Sequence, residues 1–167
     1  MITINPKNTE TKIVQEFLLS SVGPRPIALA STIDNNNVPN LSPFSFFNVF
    51  SGNPPVLIFS PARRIRNNTE KDTLRNLKEI KEVVINVVNE DIAEKMVLSS
   101  LDYPSDIDEF IESGFTHLKS NLIKPFRVKE SPVQMECKVK KIISLGENGG
   151  AGNLIICDIL LIHISEK

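Results

Sequence analysis

The chain has 167 residues, which is enough for one domain with a single hydrophobic core and short for two. Its hydrophobic content of 41% and charged content of 23% are those of a folded globular protein, and they exclude extensive disorder. The formal net charge of -1 excludes a general electrostatic attraction to nucleic acid or to an anionic membrane.

The residue types limit the kinds of protein further. The first ten residues are polar and no later apolar run is long enough to span a membrane, so we expect a cytoplasmic protein. Cys137 and Cys157 lack the spacing of a metal or redox motif and are interpreted as reduced core residues. Two histidines leave little material for a metal site, and none is predicted. The sequence contains no motif typical of a nucleophilic enzyme, so we predict no catalytic side chain.

The first sixty residues are typical of a mostly β fold. Residues 11–20 favour a short helix, which Pro24 and Pro26 prevent from continuing, and residues 26–33 favour a strand. Further short segments follow, separated by turns that are rich in Pro, Gly and Asn: 38–41, 42–50 and 56–59. Short strands joined by such turns predict a barrel or a sandwich.

The middle of the chain alternates between helix and strand. A helix is predicted at about 73–81, with Asp72 as its N-cap. The apolar stripe of this helix consists of Leu74, Leu77 and Ile80. Residues 82–88 are rich in β-branched side chains and predict a buried strand.

Two further helices are predicted before the last third of the chain. Apolar residues at helical spacing predict one over 91–98. Ser105 to Asp108 is similar to a capping box, which would open a short helix that stops at Gly114.

Two long strands are predicted at the end of the chain. Residues 133–140 alternate between apolar and polar side chains, so Gln134, Glu136, Lys138 and Lys140 are expected on the solvent side. The glycine-rich run 146–152 predicts a hairpin turn into a final strand over 154–164. That strand is apolar on both faces apart from Asp158 and His163, which places it either at the centre of the core or partly against another subunit. The predicted fold is mostly β with peripheral helices.

Charge is distributed unevenly between two neighbouring segments. From Arg63 to Glu82 there are seven basic residues and four acidic ones, whereas from Glu90 to Glu112 eight acidic residues are opposed by Lys95 alone. Two solvated helix surfaces would explain this pattern. A basic site for a small anion such as a phosphate would explain it as well.

Hydroxyl, amide and aromatic side chains gather at the ends of the early strands and at one helix start. Flavin mononucleotide (FMN) needs an apolar slot for its ring, and its phosphate needs hydroxyls, backbone N–H groups and one or two cations. Three segments contain such groups: Ser31-Thr32, Ser42 to Ser45 and Lys71 to Thr73. On these residues alone, FMN is one of several phosphate-bearing ligands that would fit.

Several motifs in the same order resemble the flavin reductase-like, FMN-binding split-barrel family. The segments that carry the resemblance are Gly23–Thr32, Asn40–Asn48, Asn53–Pro55, Lys71–Asn76, Glu82–Asn86 and Gly149–His163. The resemblance implies an FMN-binding split β-barrel over the whole chain, a homodimer, and FMN near the subunit interface.

Carried over by position, the resemblance also implies the residues around the flavin. Ser31 and Thr32 are expected to contact the flavin at the end of the first long strand, and Asn48 is expected beside it. The segment expected to line the ring consists of Ser42, Pro43, Phe44, Ser45 and Phe46.

The phosphate is expected to face Lys71 and Thr73. Arg64 or Arg66 is expected to supply a second cation. Arg25 either contributes to the site or faces solvent between two prolines.

The two histidines have competing interpretations. His163 either approaches the flavin or the other subunit, or it is a buried strand histidine with a satisfied hydrogen bond. His117, beside Phe115 and Leu118, is interpreted as structural.

The leading hypothesis is an NAD(P)H-dependent flavin reductase, in which the nicotinamide stacks on FMN and transfers a hydride to it. Proximity and a dry, apolar slot would then supply most of the rate. One alternative is an FMN-containing electron-transfer protein similar to a flavoredoxin. Another is a non-catalytic split-barrel domain for a different phosphorylated or tetrapyrrole ligand. Consumption of NAD(P)H separates the first two, and tight FMN binding excludes the last.

Overall fold

The computed structural model describes residues 1–166, and their backbone is mostly antiparallel β-sheet with few helices. The α-helices are α1 Thr11–Ser21, α2 Asp72–Glu79, α3 Ala93–Leu98 and α4 Glu109–Ser113. The strands are β1 Ala28–Ile33, β2 Pro39–Phe44, β3 Phe47–Gly52, β4 Pro55–Phe59, β5 Glu82–Val87, β6 His117–Leu118, β7 Arg127–Val128, β8 Val133–Ser144 and β9 Asn153–Ile164. Single 3-10 turns occur at Pro6–Asn8 and Glu90–Ile92.

The large sheet curls into an incomplete barrel. Its seven strands follow the order β2-β1-β5-β8-β9-β4-β3, and β6 pairs with β7 in a separate ribbon. Strands β2 and β3 therefore stand at opposite edges, although only Ser45 and Phe46 separate them along the chain. Because so short a link cannot cross a flat sheet of this width, the two edges must meet at this corner. The N–H of Ser60, just after β4, donates to the carbonyl oxygen of Phe46 at 2.9 Å and fixes the corner.

The barrel interior is apolar. Phe59 of β4 is fully buried, and its ring centroid lies 5.5 Å from that of Phe44. Leu74 and Leu77 of α2 are also buried against this interior, so α2 covers one end of the barrel. A second apolar cluster packs between the sheet and α4, and it consists of Leu29, Leu41, Ile92, Phe110, Phe115 and Val128.

Most of the predicted elements are confirmed. The helix predicted over 11–20 is α1, and the strands predicted over 26–33 and 82–88 are β1 and β5. The glycine-rich run 146–152 joins β8 to β9 as a hairpin. The helix predicted over 91–98 is a 3-10 turn followed by α3.

Both predicted helix caps are wrong by a few residues. Asp72 is the first residue of α2, and Lys71 is the N-cap, without a side-chain capping hydrogen bond. Ser105 does not cap α4; instead the carboxylate of Asp108 accepts from the N–H of Phe110 at 3.0 Å. Both segments contain several acidic or hydroxyl residues close together, so composition alone does not select the cap.

The prediction that Gln134 and Glu136 face solvent is also wrong. They are 7% and 0% exposed, because the segment between β6 and β7 folds over the outer face of β8. The Glu136 carboxylate accepts the N–H groups of Asn121 at 2.8 Å and Leu122 at 2.7 Å. The Gln134 amide oxygen accepts from Arg127 at 3.1 Å. The early part of β8 is therefore buried on both faces.

Candidate functional site

The strongest candidate site is a polar cleft between β2 and the start of α2, which we call the β2–α2 cleft. Its walls come from four parts of the chain. Ser42 belongs to β2, Arg64 to the loop after β4, Lys71 to the start of α2 and Glu109 to α4. The loop after α3 completes the rim with Ser99 to Tyr103. Segments that are far apart in sequence thus meet around one depression.

Lys71 supplies a cation to this cleft. Its ammonium is half-buried, lies 5.4 Å from the centroid of the Phe44 ring, and has no carboxylate at salt-bridge distance among residues 1–166. Burial lowers the pKa of Lys71 from its ordinary value, and repulsion from Arg64 lowers it further, against the opposing effects of Asp102 and Asp72. An anion bound in the cleft would stabilise the charged ammonium of Lys71 and so raise its pKa again.

The two candidate second cations differ in position. Arg64 lines the cleft and pairs with Asp72 at 3.4 Å and with Asp102 at 3.3 Å. The side chain of Arg66 is 68% exposed and pairs with Asp102 at the surface. The geometry therefore places Arg64, rather than Arg66, beside Lys71.

The start of α2 adds backbone donors. The first N–H groups of an α-helix have no partner within the helix, and here these include the N–H groups of Asp72 and Thr73. The N-cap Lys71 makes no side-chain capping bond that would occupy them. Because the partial positive charge of a helix also concentrates at this end, it is suited to an anion.

A buried hydrogen-bond network forms the floor of the cleft. The Asn40 amide oxygen accepts the hydroxyl of Thr73 at 2.8 Å and that of Thr32 at 3.3 Å. The Asn40 amide nitrogen donates to Glu109 at 2.6 Å. The Asn76 amide nitrogen donates to the Thr32 hydroxyl at 3.2 Å. One amide therefore joins β1, β2, α2 and α4.

This network changes the roles expected of the two threonines. Thr32 and Thr73 are each 1% exposed, and both hydroxyls point to Asn40 rather than into the cleft. Their side chains therefore stabilise the floor, while the backbone N–H of Thr73 stays at the helix start. The network residues Asn40 and Glu109 were not predicted as site residues. Asn40 does belong to a segment of the family resemblance, but the acidic segment around Glu109 was explained equally well as a solvated helix.

Glu109 is an acidic group at the inner end of the cleft. It is 9% exposed, and its second carboxylate oxygen accepts the N–H of Leu41 at 3.0 Å. Burial raises the pKa of Glu109 to about 7, although the hydrogen bonds from Leu41 and Asn40 work in the opposite direction. The nearby Asp72 raises it further. The charge of the cleft therefore changes near neutral pH.

The residues expected around a ring extend from the cleft towards the β2–β3 corner. Phe44 is 7% exposed and contacts Lys71, while Phe46 is 40% exposed at the corner itself. Pro43 and Ser45 are half-buried between them. The set from Ser42 to Phe46 thus forms a continuous path from the cleft to the sheet edge.

Two expected residues lie further away from the cleft. Asn48 is exposed on β3, and its side-chain oxygen accepts the N–H of Val49 at 2.8 Å. Ser31 is fully buried on β1, where its side chain points to the sheet face opposite that of Thr32. The Ser31 hydroxyl has no hydrogen-bond partner within residues 1–166.

His163 is a strand histidine with a satisfied hydrogen bond. Its Nε2 lies 2.8 Å from the buried carboxylate of Glu136. Burial works to raise the pKa of Glu136, but the hydrogen bonds from Asn121, Leu122 and His163 outweigh it, so the pKa lies below its ordinary value. This pair secures the segment that covers β8.

A second cavity, of about 650 Å³, lies beside His163 and is a weaker candidate. Its arginine, Arg127, is already bonded to the carbonyl oxygen of Lys119 and to Gln134. The remaining charges are of both signs, with Lys129 opposed by Glu130. Lys129 is exposed, so the cavity lacks a half-buried, unpaired cation of the kind that Lys71 supplies to the β2–α2 cleft.

Arg25 and His117 have structural contacts. The Arg25 guanidinium donates to the carbonyl oxygens of Leu19, at 2.6 Å, and Val22, so it covers the C-terminal end of α1. The His117 ring stacks on Phe110 with 4.3 Å between the centroids.

Other kinds of site receive no support. No group of three or more His, Cys, Asp or Glu side chains within residues 1–166 is placed to hold a metal ion. In the same part of the chain, no helix combines the length and the apolar character needed to cross a membrane. Cys137 and Cys157 are buried and free, as predicted.

Comparison with known proteins identifies the family. A sequence model described as "Flavin reductase like domain" matches residues 20–167. The chain belongs to this family. A relative from Aquifex aeolicus, named only as an uncharacterised protein, is 37% identical over 160 residues, which cover 96% of this chain and 79% of the relative.

Two solved structures extend the likeness to the whole fold. Nitrilotriacetate monooxygenase component B from Bacillus cereus matches with a TM-score of 0.92 and 30% identity, over 99% of this chain and 82% of the other. The 2-nitrobenzoate 2-nitroreductase of Pseudomonas fluorescens matches with a TM-score of 0.84 and 31% identity, over 99% and 77% of the two chains. A flavin reductase structure with a split-barrel domain, from Shewanella frigidimarina, also matches, with a TM-score of 0.83 and 25% identity over 100% of this chain and 82% of the other, so the incomplete barrel is a split barrel. Membership of the family supports flavin-related oxidoreductase chemistry.

The hydrogen-bond network at the floor of the cleft should contribute measurably to the stability of the fold. We expect Asn40→Ala to lower the free energy of unfolding by about 2–4 kcal/mol, because two buried hydroxyls lose their acceptor and Glu109 loses a donor. Urea unfolding followed by circular dichroism measures the change. Asn8→Ala, at an exposed position near the N-terminus, is the matched control and should change it by less than about 0.5 kcal/mol. Equal effects of the two substitutions would show that the network does not stabilise the fold.

Proposed function

We propose that the chain binds FMN, with its phosphate in the β2–α2 cleft, and works as an NAD(P)H-dependent flavin reductase. The observation that carries the proposal is Lys71, a half-buried cation without a carboxylate partner among residues 1–166, at the start of a helix in a flavin reductase-like chain.

The donor set of the cleft fits a phosphate monoester. Lys71 supplies an unpaired positive charge, Arg64 lies beside it and shares its charge with Asp72 and Asp102, and Ser42 lines the same cleft from β2. The open N–H groups of Asp72 and Thr73 add directed donors at the helix start. These groups match the charge and the several acceptor oxygens of a phosphate. Thr32 and Thr73 would serve the site by holding its floor through Asn40.

The path from Phe44 to Phe46 fits the flavin ring. Its aromatic side chains and the half-buried Pro43 provide apolar surface next to the cleft, and the chain turns sharply at the β2–β3 corner. Backbone N–H and C=O groups at such a corner are available to the polar edge of a ring. The exposed Asn48 lies just beyond it on β3.

The chain's own part in the reaction is positioning. When bound, FMN supplies a ring that accepts a hydride from a nicotinamide and passes electrons on. Lys71 and Arg64 would anchor the phosphate and so fix the ring along the β2–β3 corner. Phe44 and Phe46 would keep water from one side of the ring, and the proximity of the two ring systems would supply most of the rate. The nitroreductase from Pseudomonas fluorescens, which has a similar fold and is 31% identical, is by its name also a reductase.

Consumption of NAD(P)H in the presence of FMN is the direct test of the proposed function. We expect nicotinamide oxidation under air with a turnover on the order of 1–100 s⁻¹ with NADH or NADPH, lost when FMN is omitted from flavin-free protein. A protein that retains FMN but oxidises neither nucleotide would instead be an electron carrier, and the reductase proposal would be wrong.

The assignment of the phosphate to the cleft gives a separate prediction. Lys71→Ala should weaken FMN binding by about tenfold to a hundredfold, because a charge-assisted contact to the phosphate is lost. Riboflavin, which has the same ring and no phosphate, should bind both proteins equally. Flavin fluorescence quenching measures the two affinities. Lys78→Ala is the matched control, since Lys78 lies one to two turns along α2 and pairs with Glu70. An equal loss of riboflavin and FMN affinity in Lys71→Ala would place the phosphate elsewhere.

We also propose that the chain forms a homodimer through β3 and β9, which flank β4 in the sheet. On β3, Val49 and Phe50 are 52% and 64% exposed. On β9, Ile162 and Ile164 are 50% and 71% exposed, although both are strand residues of a long central hairpin. Exposed apolar side chains on two strands that are separated by β4 alone favour a second copy of the chain as the partner that buries them. The flavin ring would then lie close to the subunit interface, since Phe46 and Asn48 adjoin this surface.

Introducing a charge into this surface tests the dimer. Phe50→Glu combined with Ile162→Glu should convert the protein to a monomer, because two buried carboxylates would have to be desolvated in each half of the interface. Light scattering coupled to gel filtration measures the mass. Ile111→Glu, at a 68% exposed position on α4, should leave the mass unchanged. A wild-type protein with the mass of one chain would contradict the dimer.

A further inference from the structure

Glu109 lies where it can sense the ligand of the β2–α2 cleft. One carboxylate oxygen accepts from the Asn40 amide at 2.6 Å, and the other accepts from the N–H of Leu41 at 3.0 Å. Both donors belong to β2, at the two positions before Ser42, which also lines the cleft. Glu109 lines it as well, together with Lys71 and Arg64. Glu109 is 9% exposed as a residue and belongs to the same depression as the cations.

Several charged groups face this carboxyl from the elements packed around it. On the α2 side there are Lys71 and Asp72, and Arg64 from the preceding loop. The loop after α3 supplies Asp102 and the phenol of Tyr103. The strand β2 has no ionisable side chain. On α3, Lys95 is directed to the Gly114 carbonyl oxygen and to Glu130, away from Glu109. On α4 itself, Glu112 is exposed, and Asp108 caps the helix and meets His117.

Of the charged groups that line the cleft, Glu109 and Lys71 have no salt-bridge partner among residues 1–166. Arg64 pairs with Asp72 and Asp102, whereas no salt-bridge partner lies within reach of Glu109 among residues 1–166. Its polar contacts are one amide and one backbone N–H. In keeping with this position, burial raises the pKa of Glu109 to about 7. The carboxyl therefore changes charge in the range in which the protein would work.

We infer that Glu109 sets the affinity of the cleft for the flavin phosphate, as an uncharged positioning residue at low pH and a repelling carboxylate at high pH. The inference rests on the proposed function, because it assumes that the phosphate occupies the cleft. In both forms Glu109 orients Asn40, and through Asn40 it orients Thr73 at the helix start. The neutral form leaves the unpaired positive charge of Lys71 to the phosphate, while Arg64 stays paired with Asp72 and Asp102. The ionised form opposes a dianion across the same small depression.

The direction of the pH effect follows from these charges. As the pH rises through about 7, Glu109 ionises and FMN binding weakens. The phosphate's own second ionisation, near pH 6 for a phosphate monoester, works in the opposite direction because the dianion binds cations better. The pKa of Lys71 is lowered, so its ammonium also loses its proton as the pH rises. That loss would weaken FMN binding in the same direction as the ionisation of Glu109. A variant of Glu109 separates these two contributions.

The experiment compares FMN with riboflavin in the wild-type protein at about pH 6.5 and about pH 8. Flavin fluorescence quenching gives both dissociation constants. We expect the FMN dissociation constant to rise by about tenfold over this range, which corresponds to one unfavourable charge near the phosphate. The riboflavin constant should stay within about twofold. This comparison needs no substitution, so it does not depend on the folding of a variant.

Glu109→Gln assigns the effect. Glutamine has the same shape and carries no charge at any pH, and its single carbonyl oxygen keeps the acceptor of one of the two donors, the N–H of Leu41 or the amide of Asn40. FMN affinity in Glu109→Gln should be flat or should rise slightly with pH, and at about pH 8 it should exceed that of the wild type by about tenfold. Glu112→Gln, at an exposed position on the same helix, is the matched control and should retain the wild-type pH profile. Thermal unfolding at both pH values verifies that each variant is folded.

Two further outcomes separate this inference from the proposed function. If FMN binds and depends on Lys71, but the pH profile persists in Glu109→Gln, the profile belongs to Lys71 and the inference about Glu109 is wrong while the site stands. If the wild type binds neither FMN nor riboflavin at either pH, the proposed function is wrong and the inference fails with it.

Discussion

The amide of Asn40 is the contact on which the candidate site depends. Its oxygen receives hydroxyl groups from Thr32 on β1 and Thr73 on α2, and its nitrogen donates to Glu109 on α4. A buried polar group is tolerated when its hydrogen bonds are made, and a network that is fully bonded also fixes the geometry of the groups around it. The start of α2, the end of β2 and α4 are therefore held in one arrangement, and Lys71 stands at their meeting point.

The route of the chain through the barrel links this site to the rest of the fold. Only Ser45 and Phe46 connect the two sheet edges, so the corner that closes the barrel is also the surface next to the cleft. In the proposed function, the phosphate is anchored in the cleft and the ring lies along the corner. The exposed apolar residues of β3 begin at the same place, which explains why a proposed dimer would bring its second subunit close to the flavin.

Local patterns predicted the elements well, and contacts between distant residues were the part that the sequence did not reveal. Alternation and turn residues predicted β1, β5 and the hairpin of β8 and β9, because these signals arise within a few residues. Glu109 was interpreted as part of a solvated acidic segment, since its partner Asn40 is 69 positions away. Glu136 was expected in solvent for the same reason, because the N–H groups that bury it come from a loop 14 and 15 residues earlier. The family resemblance predicted Lys71 at the phosphate and Ser42 along the ring, and in the structure both residues line the β2–α2 cleft.

The most direct test of FMN binding is a visible absorption spectrum of the purified protein, taken after incubation with FMN and removal of free flavin. We expect a retained flavin spectrum with about one FMN per chain, since a charged cleft and an apolar corner together should hold the cofactor through desalting. A protein that emerges colourless, and that also leaves FMN fluorescence unchanged in an equilibrium titration, would contradict the claim that this cleft is a flavin site.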